Sequence, residues 1–185
     1  MRTAAFYALV LLWVLWALPF IIRRTPGNGT RRAKTARISI LGMALQTVSY
    51  PLVWSTRYFW RHELETWRVL AAGALGALAL LLIWSALPAL GNEWRLQAGV
   101  YEDHRLIQSG AYGVVRHPIY ASMIALLLAT GFLLAPLTVC ATALALMIAG
   151  TEIRIHAEER LLMERFGQQF AAYRARVPAY LPFLR

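Results

Sequence analysis

Residues 97–120 read QAGVYEDHRLIQSGAYGVVRHPIY, which is the longest polar interval between the apolar runs of the chain. Between two apolar runs, the interval contains acidic, basic and imidazole side chains: Glu102, Asp103, His104, Arg105, Arg116 and His117. Gly110 and Gly113 permit backbone shapes that a side chain forbids, and Pro118 suits the first turn of a following helix. The interval is therefore the best candidate for polar chemistry, and we interpret the surrounding apolar runs as helices that hold it at a membrane surface.

Composition also indicates a membrane protein. Of the 185 residues, 59% are hydrophobic, whereas a soluble domain of this size is close to half apolar. The net charge of +10 would suit nucleic acid, but the basic residues cluster at the ends of apolar runs, where membrane topology and anionic lipid explain them. We therefore expect membrane lipids as partners and no nucleic acid. The single Cys140 excludes a disulfide framework and a cysteine zinc site.

Five apolar segments are predicted to cross the membrane as helices, at residues 4–22, 38–56, 69–90, 119–134 and 137–150. The first is long for a signal peptide and lacks a cleavage site, so we interpret it as an anchor. Polar residues inside the second, such as Gln46, are expected to meet neighbouring helices. Gly73 and Gly76 in the third would allow close helix packing. The last two segments should form a tight antiparallel hairpin.

The distribution of basic residues among the segments between the apolar runs predicts how the chain is oriented in the membrane. Residues 23–37 hold six Lys and Arg, residues 91–117 three and residues 151–185 six, against four on the other side of the membrane. The positive-inside rule then places the N-terminus outside and these three segments in the cytosol. The charged helix from Thr151, a stop at Gly167 and a shorter helix over 168–176 would form a cytosolic cap. The predicted fold is an all-α integral membrane protein with five transmembrane helices and this C-terminal helical cap.

A metal site is the first candidate for chemistry. Glu152, His156 and Glu159 lie at i, i+4 and i+7 on one helical face, a spacing that can hold an ion. The chain has only four His, so the many-histidine set of a membrane di-iron oxygenase cannot be assembled. We expect no metal.

Two other groups of charged residues have two interpretations each. Arg154 and Glu158, at i and i+4, form an ordinary helix ion pair in the first interpretation. In the second, Arg154 binds a carboxylate of a ligand and Glu158 accepts hydrogen bonds from hydroxyls or binds a cation. Arg116 and His117 either take part in a site or snorkel beside a helix start. The absence from the sequence of G-x-S-x-G, P-loop and G-x-G-x-x-G motifs counts against hydrolase and nucleotide-phosphate functions.

The joint pattern carries a resemblance. S-G-A-Y-G-V-V-R-H-P-I-Y at residues 109–120 is followed by the apolar hairpin and by R-x-x-x-E-E-R-L-L-x-x-x-F-G-x-x-F-x-x-Y-x-x-x-V-P from residue 154. This arrangement resembles the isoprenylcysteine carboxyl methyltransferase family, and membrane phospholipid N-methyltransferases are similar. The resemblance covers residues 97–185, about half of the chain. It divides the chain into a three-helix N-terminal membrane region, 1–90, and a cofactor-binding methyltransferase core, 91–185.

The resemblance implies a membrane methyltransferase with an S-adenosylmethionine pocket between the central interval and the helix after the hairpin. Arg154 would be the catalytic, acceptor-facing residue. The family usually has glycine where this chain has Ser122, so helix packing near the cofactor is expected to differ. The residues that the resemblance assigns to the cofactor are Gln97, His104, Arg105, Leu106, Ile107, Tyr112, His117, Pro118, Ile119, Tyr120 and Glu158.

The methyl acceptor is predicted to be lipophilic, a small molecule or a prenylated substrate that enters from the membrane. A carboxylate is ionised at neutral pH and needs no general base, whereas an amine would need deprotonation and no obvious base is present. An isoprenylcysteine-type carboxylate is therefore favoured, with phospholipid N-methylation as an alternative. A second alternative is an NADPH-dependent sterol or enone reductase, although phosphates would need more basic residues than Arg95, Arg105 and Arg116. A non-enzymatic membrane scaffold is the third.

Overall fold

The computed structural model describes residues 2–22, 34–35, 37–91, 99–100 and 105–180. All the predicted apolar segments are helical in it. A short 3₁₀ turn, Gly110–Gly113, precedes α5, and two strands, β1 at Lys34–Thr35 and β2 at Gly99–Val100, pair antiparallel. The helices are α1 Arg2–Ile22, α2 Ser39–Trp54, α3 Tyr58–Arg61, α4 Thr66–Leu90, α5 Pro118–Leu134, α6 Leu137–Phe166 and α7 Gln168–Arg176.

Among the described residues, three helices are long and apolar enough to cross a membrane: α1, α4 and α6, with 21, 25 and 30 residues. The apolar α5 has 17 residues and α2 has 16, which correspond to about 25 Å of helix each at the usual rise. The prediction of a helical membrane protein is thus confirmed for α1, α4 and α6, and the five crossings stay a prediction.

The closest helix packing is that of α2 along α6 and of α4 along α5. A Cβ atom on Gly42 would lie 2.6 Å from the Gly150 carbonyl oxygen, so the backbones of α2 and α6 touch. In the α5–α6 hairpin, a Cβ atom on Gly131 would lie 2.9 Å from Cys140 Sγ. Small residues therefore set the helix spacing at both contacts, as they commonly do in membranes.

The first helix packs on α4 and α5. Gly76 is buried against Leu12 of α1, so its predicted role in helix packing is confirmed. Gly73 is exposed, and a Cβ atom added there would meet no heavy atom within 4 Å. The same prediction for Gly73 is therefore wrong. The indole of Trp16 donates to Ser122 Oγ at 2.6 Å, and Ser122 donates to the Ala79 carbonyl at 2.9 Å. Serine at the family's usual glycine position thus links α1, α4 and α5.

Contacts at one end of the bundle join the segments that sequence analysis placed on the side opposite the central interval. Arg2 donates to the His62 carbonyl at 2.8 Å. Thr56 Oγ1 donates to the Leu134 carbonyl at 2.6 Å, at the hairpin turn. Arg68 is buried, and its Nη1 donates to the Ala135 carbonyl at 2.9 Å. The start of α1, the α2–α4 connection and the hairpin turn therefore share one end of the molecule.

The last helices match their predicted positions. α6 runs without a break from the apolar hairpin through Gly150 into the charged segment and ends at Phe166. Gly167 follows with φ +49°, a left-handed conformation that favours glycine, so the predicted stop is confirmed. α7 then covers Gln168–Arg176, the predicted range. The continuous α6 carries the charged residues directly out of the hairpin.

Candidate functional site

The loop between α4 and α5 is shaped by one glycine and one proline. Gly110 has φ +62°, which explains the glycine at the first position of the 3₁₀ turn. Pro118 is at the start of α5, where its missing N–H leaves no helical hydrogen bond unmade. Between these two points the chain delivers Arg116 and His117 to the buried side of the loop.

Residues 178–179, which follow α7, bond to the end of this loop. The backbone N–H groups of Arg116 and His117 donate to the carbonyls of Pro178 and Ala179, each at 2.8 Å. The Tyr173 hydroxyl donates to the Tyr112 carbonyl at 2.6 Å. These hydrogen bonds join the described end of the loop to α7 and to residues 178–179.

Arg116 forms a buried ion pair with Glu159 of α6. Its Nε and Nη2 lie 2.9 Å and 2.7 Å from Glu159 Oε1, and its Nη1 also donates to the carbonyls of Arg174 and Val177. Only 5% of Arg116 is exposed, so the snorkelling interpretation of this residue is wrong. Because the pair joins the loop to α6, it fixes where the neighbouring His117 points.

His117 lies between two carboxylates. Its Nε2 is 3.2 Å from Glu159 Oε1, and its Nδ1 is 3.6 Å from Glu158 Oε2. Burial by itself lowers the pKa of His117, but Glu158 and Glu159 outweigh it and hold the pKa above its ordinary value. A cationic imidazole between two carboxylates is the charge state that this geometry favours.

Tyr120, Arg154 and Glu158 form the centre of the site. Arg154 Nε donates to the Tyr120 hydroxyl oxygen at 2.8 Å, and the guanidinium carbon lies 5.2 Å from the centroid of the same ring. The Tyr120 hydroxyl donates in turn to Glu158 Oε1, which is 3.8 Å from Arg154 Nη2. Arg154 and Glu158 are therefore more than an ordinary surface ion pair, since a tyrosine from α5 bridges them.

Sequence reasoning did not assign Gln46 of α2 to this site. Its side-chain Nε2 donates to Thr151 Oγ1 at 2.9 Å, and its Oε1 accepts from Arg154 Nη1 at 3.5 Å. The prediction that it meets a neighbouring helix is confirmed. An amide in a predicted membrane span was the available signal, but sequence position could not tell which helix or which side chain it would meet.

The other predicted cofactor residues differ in exposure, and two of them lie outside the described ranges. Ile119 lies at the start of α5, between His117 and Tyr120. Arg105 is exposed, and Leu106 and Ile107 are partly buried. Gln97 and His104 are not among the described residues.

Of the three α6 residues with metal-ligand spacing, His156 lies beside Glu152, with Nδ1 3.6 Å from Oε2, whereas Glu159 has a separate partner. His156 Nδ1 turns back to the Glu152 carbonyl at 2.7 Å, whereas Glu159 is held by Arg116. Within the described ranges, no group of three or more His, Cys, Asp or Glu is arranged to hold a metal ion. A cleft of about 270 Å³ lies beside the site, but neither Arg154 nor Glu158 lines it. Its lining residues are His156, Glu159, Arg160, Met163, Glu164 and Arg174.

These features define a helical membrane protein with a polar site built from the loop before a hairpin and the helix after it. The family model for isoprenylcysteine carboxyl methyltransferases matches residues 72–164, half of the chain. The protein belongs to the isoprenylcysteine carboxyl methyltransferase (ICMT) family.

Three relatives show how far the similarity extends. The chain is 34% identical over 84 residues to protein-S-isoprenylcysteine O-methyltransferase B of Arabidopsis thaliana, covering 45% of this chain and 42% of that protein. It is 36% identical over 83 residues to the Tribolium castaneum protein-S-isoprenylcysteine O-methyltransferase, covering 44% and 29%. It is 30% identical over 145 residues to the cobalt-zinc-cadmium resistance protein CzcN of Cupriavidus metallidurans, covering 67% and 65%. The chain thus spans less than two thirds of each relative.

Proposed function

We propose that this protein is a membrane methyltransferase that uses S-adenosylmethionine to methylate a lipophilic acceptor at a carboxylate of the isoprenylcysteine type. One observation carries the proposal. The two sequence motifs of the resemblance meet at the Tyr120 hydroxyl, which accepts from Arg154 and donates to Glu158. The family match and the names of two relatives support the same activity.

The chemistry of the side chains suits this cofactor. The Glu158 side chain is 24% exposed, so its carboxylate can reach the hydroxyls or the ammonium group of a bound molecule. When bound, S-adenosylmethionine supplies a methyl group on a sulfonium, which a carboxylate oxygen accepts without any proton transfer.

The chain's own residues then have separable tasks. His117, Tyr120 and Glu158 hold the cofactor, while Arg154 orients the carboxylate of the acceptor by charge-assisted hydrogen bonds. Because an acceptor carboxylate needs no base, the protein's contribution is alignment and exclusion of water. Arg154 is 6% exposed, which suits a guanidinium that an acceptor reaches from within the helix bundle.

The membrane arrangement forms part of the proposal. α1, α2, α4, α5 and α6 each cross the bilayer, and the end that contains residues 105–117 and 151–180 faces the cytosol. The excess of basic residues in the segments at this end supports the orientation. Residues 1–90 would be the N-terminal membrane region and 91–185 the cofactor-binding core, with Gln97 and His104–Ile107 completing the cofactor site. A lipophilic or prenylated acceptor would enter laterally between helices.

The test separates cofactor binding from acceptor recognition. Calorimetry on the detergent-purified protein should show binding of S-adenosylmethionine, and Glu158→Ala and His117→Ala should each weaken it while the protein stays folded. Arg154→Ala should instead lower turnover of N-acetyl-S-farnesylcysteine with the cofactor affinity largely kept. Unchanged cofactor affinity in both of the first variants would refute the site assignment.

The choice of acceptor needs its own measurement. The wild-type protein should transfer labelled methyl groups to N-acetyl-S-farnesylcysteine but not to phosphatidylethanolamine in mixed micelles. Transfer to the phospholipid alone would replace the carboxylate proposal with N-methylation, and a thermal shift with NADPH but not with S-adenosylmethionine would favour a reductase.

A further inference from the structure

Among the described residues, three side chains lie against the Arg154 guanidinium. Its Nε donates to the Tyr120 hydroxyl at 2.8 Å, its Nη2 lies 3.8 Å from Glu158, and its Nη1 donates to Gln46 Oε1 at 3.5 Å. Two of these partners belong to the family motifs. Gln46 lies on α2, before the first residue that the family model matches.

The Gln46 side chain is itself fixed. It is 1% exposed, and its Nε2 donates to Thr151 Oγ1 at 2.9 Å, one turn before Arg154 on α6. This bond leaves the amide oxygen directed at the guanidinium. An amide buried among apolar helices is stable only when its polar groups have such partners.

The backbone of α2 also makes room for the arginine. A Cβ atom on Gly42 would lie 2.7 Å from Arg154 Cγ, so only glycine lets the aliphatic part of Arg154 pass at this level. Gly42 and Gln46 are one turn apart on the buried face of α2. One face of α2 therefore sets both the path of the Arg154 side chain and the direction of its head group.

The charge of residue 46 matters as much as its position. In the described part of the chain, Arg154 already faces the carboxylate of Glu158. A second carboxylate at position 46 would compete with an anionic acceptor for the guanidinium, whereas a neutral amide holds the guanidinium without neutralising it. We propose that Gln46 is a positioning residue that orients Arg154 and preserves its charge for an acidic methyl acceptor. This inference rests on the proposed function and extends it to a specificity determinant outside the family motifs.

The experiment compares two variants with one control. Gln46→Leu removes the hydrogen bond, and Gln46→Glu keeps an oxygen acceptor but adds a charge. Ser49→Ala is the control, because Ser49 is a buried polar residue on the same helix that bonds only to the Gln46 carbonyl in the described structure. The readouts are the affinities for N-acetyl-S-farnesylcysteine and for its neutral carboxamide, the affinity for S-adenosylmethionine, and the unfolding temperature.

Gln46→Leu should raise the KM for the carboxylate acceptor by about tenfold, the usual scale for losing a hydrogen bond to a charged group. Gln46→Glu should weaken binding of the carboxylate by at least as much while binding of the carboxamide stays near the wild-type value. Affinity for S-adenosylmethionine should remain within about twofold in both variants, and Ser49→Ala should resemble the wild type. If Gln46 had a role in folding alone, its substitution would change the affinities for the carboxylate and for the carboxamide equally.

The inference is overturned if Gln46→Glu keeps the wild-type preference for carboxylate over carboxamide. It is also overturned if Gln46→Leu binds the carboxylate as well as Ser49→Ala does. A wild-type protein that binds neither S-adenosylmethionine nor the farnesylcysteine probe would instead refute the proposed function, so the two failures are distinguishable. If Gln46→Leu does not fold, the preference measured with Gln46→Glu decides.

Discussion

The Arg116 guanidinium and the Glu159 carboxylate form a buried ion pair, with Nη2 2.7 Å from Oε1, that joins the loop before α5 to the charged half of α6. The pair also places His117 against both glutamates. The geometry of the candidate site thus depends on a contact made by a residue that is not expected to touch the cofactor.

Arg116→Leu or Glu159→Gln should each destabilise the protein by about 3 kcal/mol or more, because a buried charge then loses its main partner. The double variant should be less unstable than the sum of the two single variants. Denaturant unfolding in detergent measures all three. Additive losses would show that the two residues do not interact.

The stability of the protein should decrease as the pH rises. Glu158 and Glu159 raise the pKa of His117 in the folded state, so its stabilising contribution is complete below the unfolded value of about 6.5 and is lost as the pH passes the folded value. The unfolding temperature should therefore fall from about pH 6 upwards. His117→Gln should show a weaker dependence over the same interval, and an identical slope in both proteins would contradict the assignment.

Removing the Tyr120 hydroxyl should affect both substrates, because this group touches Arg154 and Glu158. Tyr120→Phe should lower kcat/KM by about tenfold or more, the scale expected for hydrogen bonds to charged groups. Calorimetry should show weaker cofactor binding in the same variant. Tyr50→Phe is the matched control, since its hydroxyl bonds to the Met123 carbonyl at 3.0 Å.

Close packing of α2 on α6 makes Gly150 sensitive to substitution. A Cβ atom there would lie 2.5 Å from the Gly42 carbonyl oxygen, so Gly150→Ala should destabilise by about 1–3 kcal/mol through overpacking. Gly73→Ala, in an exposed helical position with open space, should instead be neutral or stabilising by up to about 1 kcal/mol. The unfolding midpoint of Gly150→Ala should fall, whereas that of Gly73→Ala should stay unchanged or rise.

The Ser122 hydroxyl should stabilise the N-terminal helices. Ser122→Gly, which restores the family's usual residue, removes both the acceptor of Trp16 and the bond to Ala79. We expect a loss of about 1–3 kcal/mol, because the half-buried Trp16 indole loses its partner and the buried Ala79 carbonyl loses the Ser122 hydroxyl. Ser85→Ala, at an exposed serine that bonds to its own helix, should leave the unfolding midpoint unchanged.

Local patterns predicted the helices well because they depend on neighbouring residues. Long apolar runs gave the positions of α1 and α4, and Pro118 and Gly167 marked helix ends that the structure shares. The packing roles of the glycines were harder to predict. Gly73 and Gly76 lie three residues apart on one helix, but of the two only Gly76 meets α1. The sequence could not predict this difference, because periodicity does not tell which side of a helix a neighbour will occupy.

The candidate site was predictable in part. The residues of the two motifs suggested that Tyr120 and Glu158 lie together, and they do. Arg116 was harder to interpret, because a basic residue beside a helix start suits either snorkelling or burial until its partner is known. The partner, Glu159, lies on another helix, and the choice between two adjacent glutamates depends on how α6 is rotated.

The amino-acid sequence by itself determined where this chain is apolar, where its helices end and which polar residues are available for chemistry, because these properties are set within a few residues. Only the tertiary structure decided that Gln46 reaches Arg154 and that Arg116 pairs with Glu159. Such pairings depend on the distance and rotation between packed helices, which many distant side chains fix together.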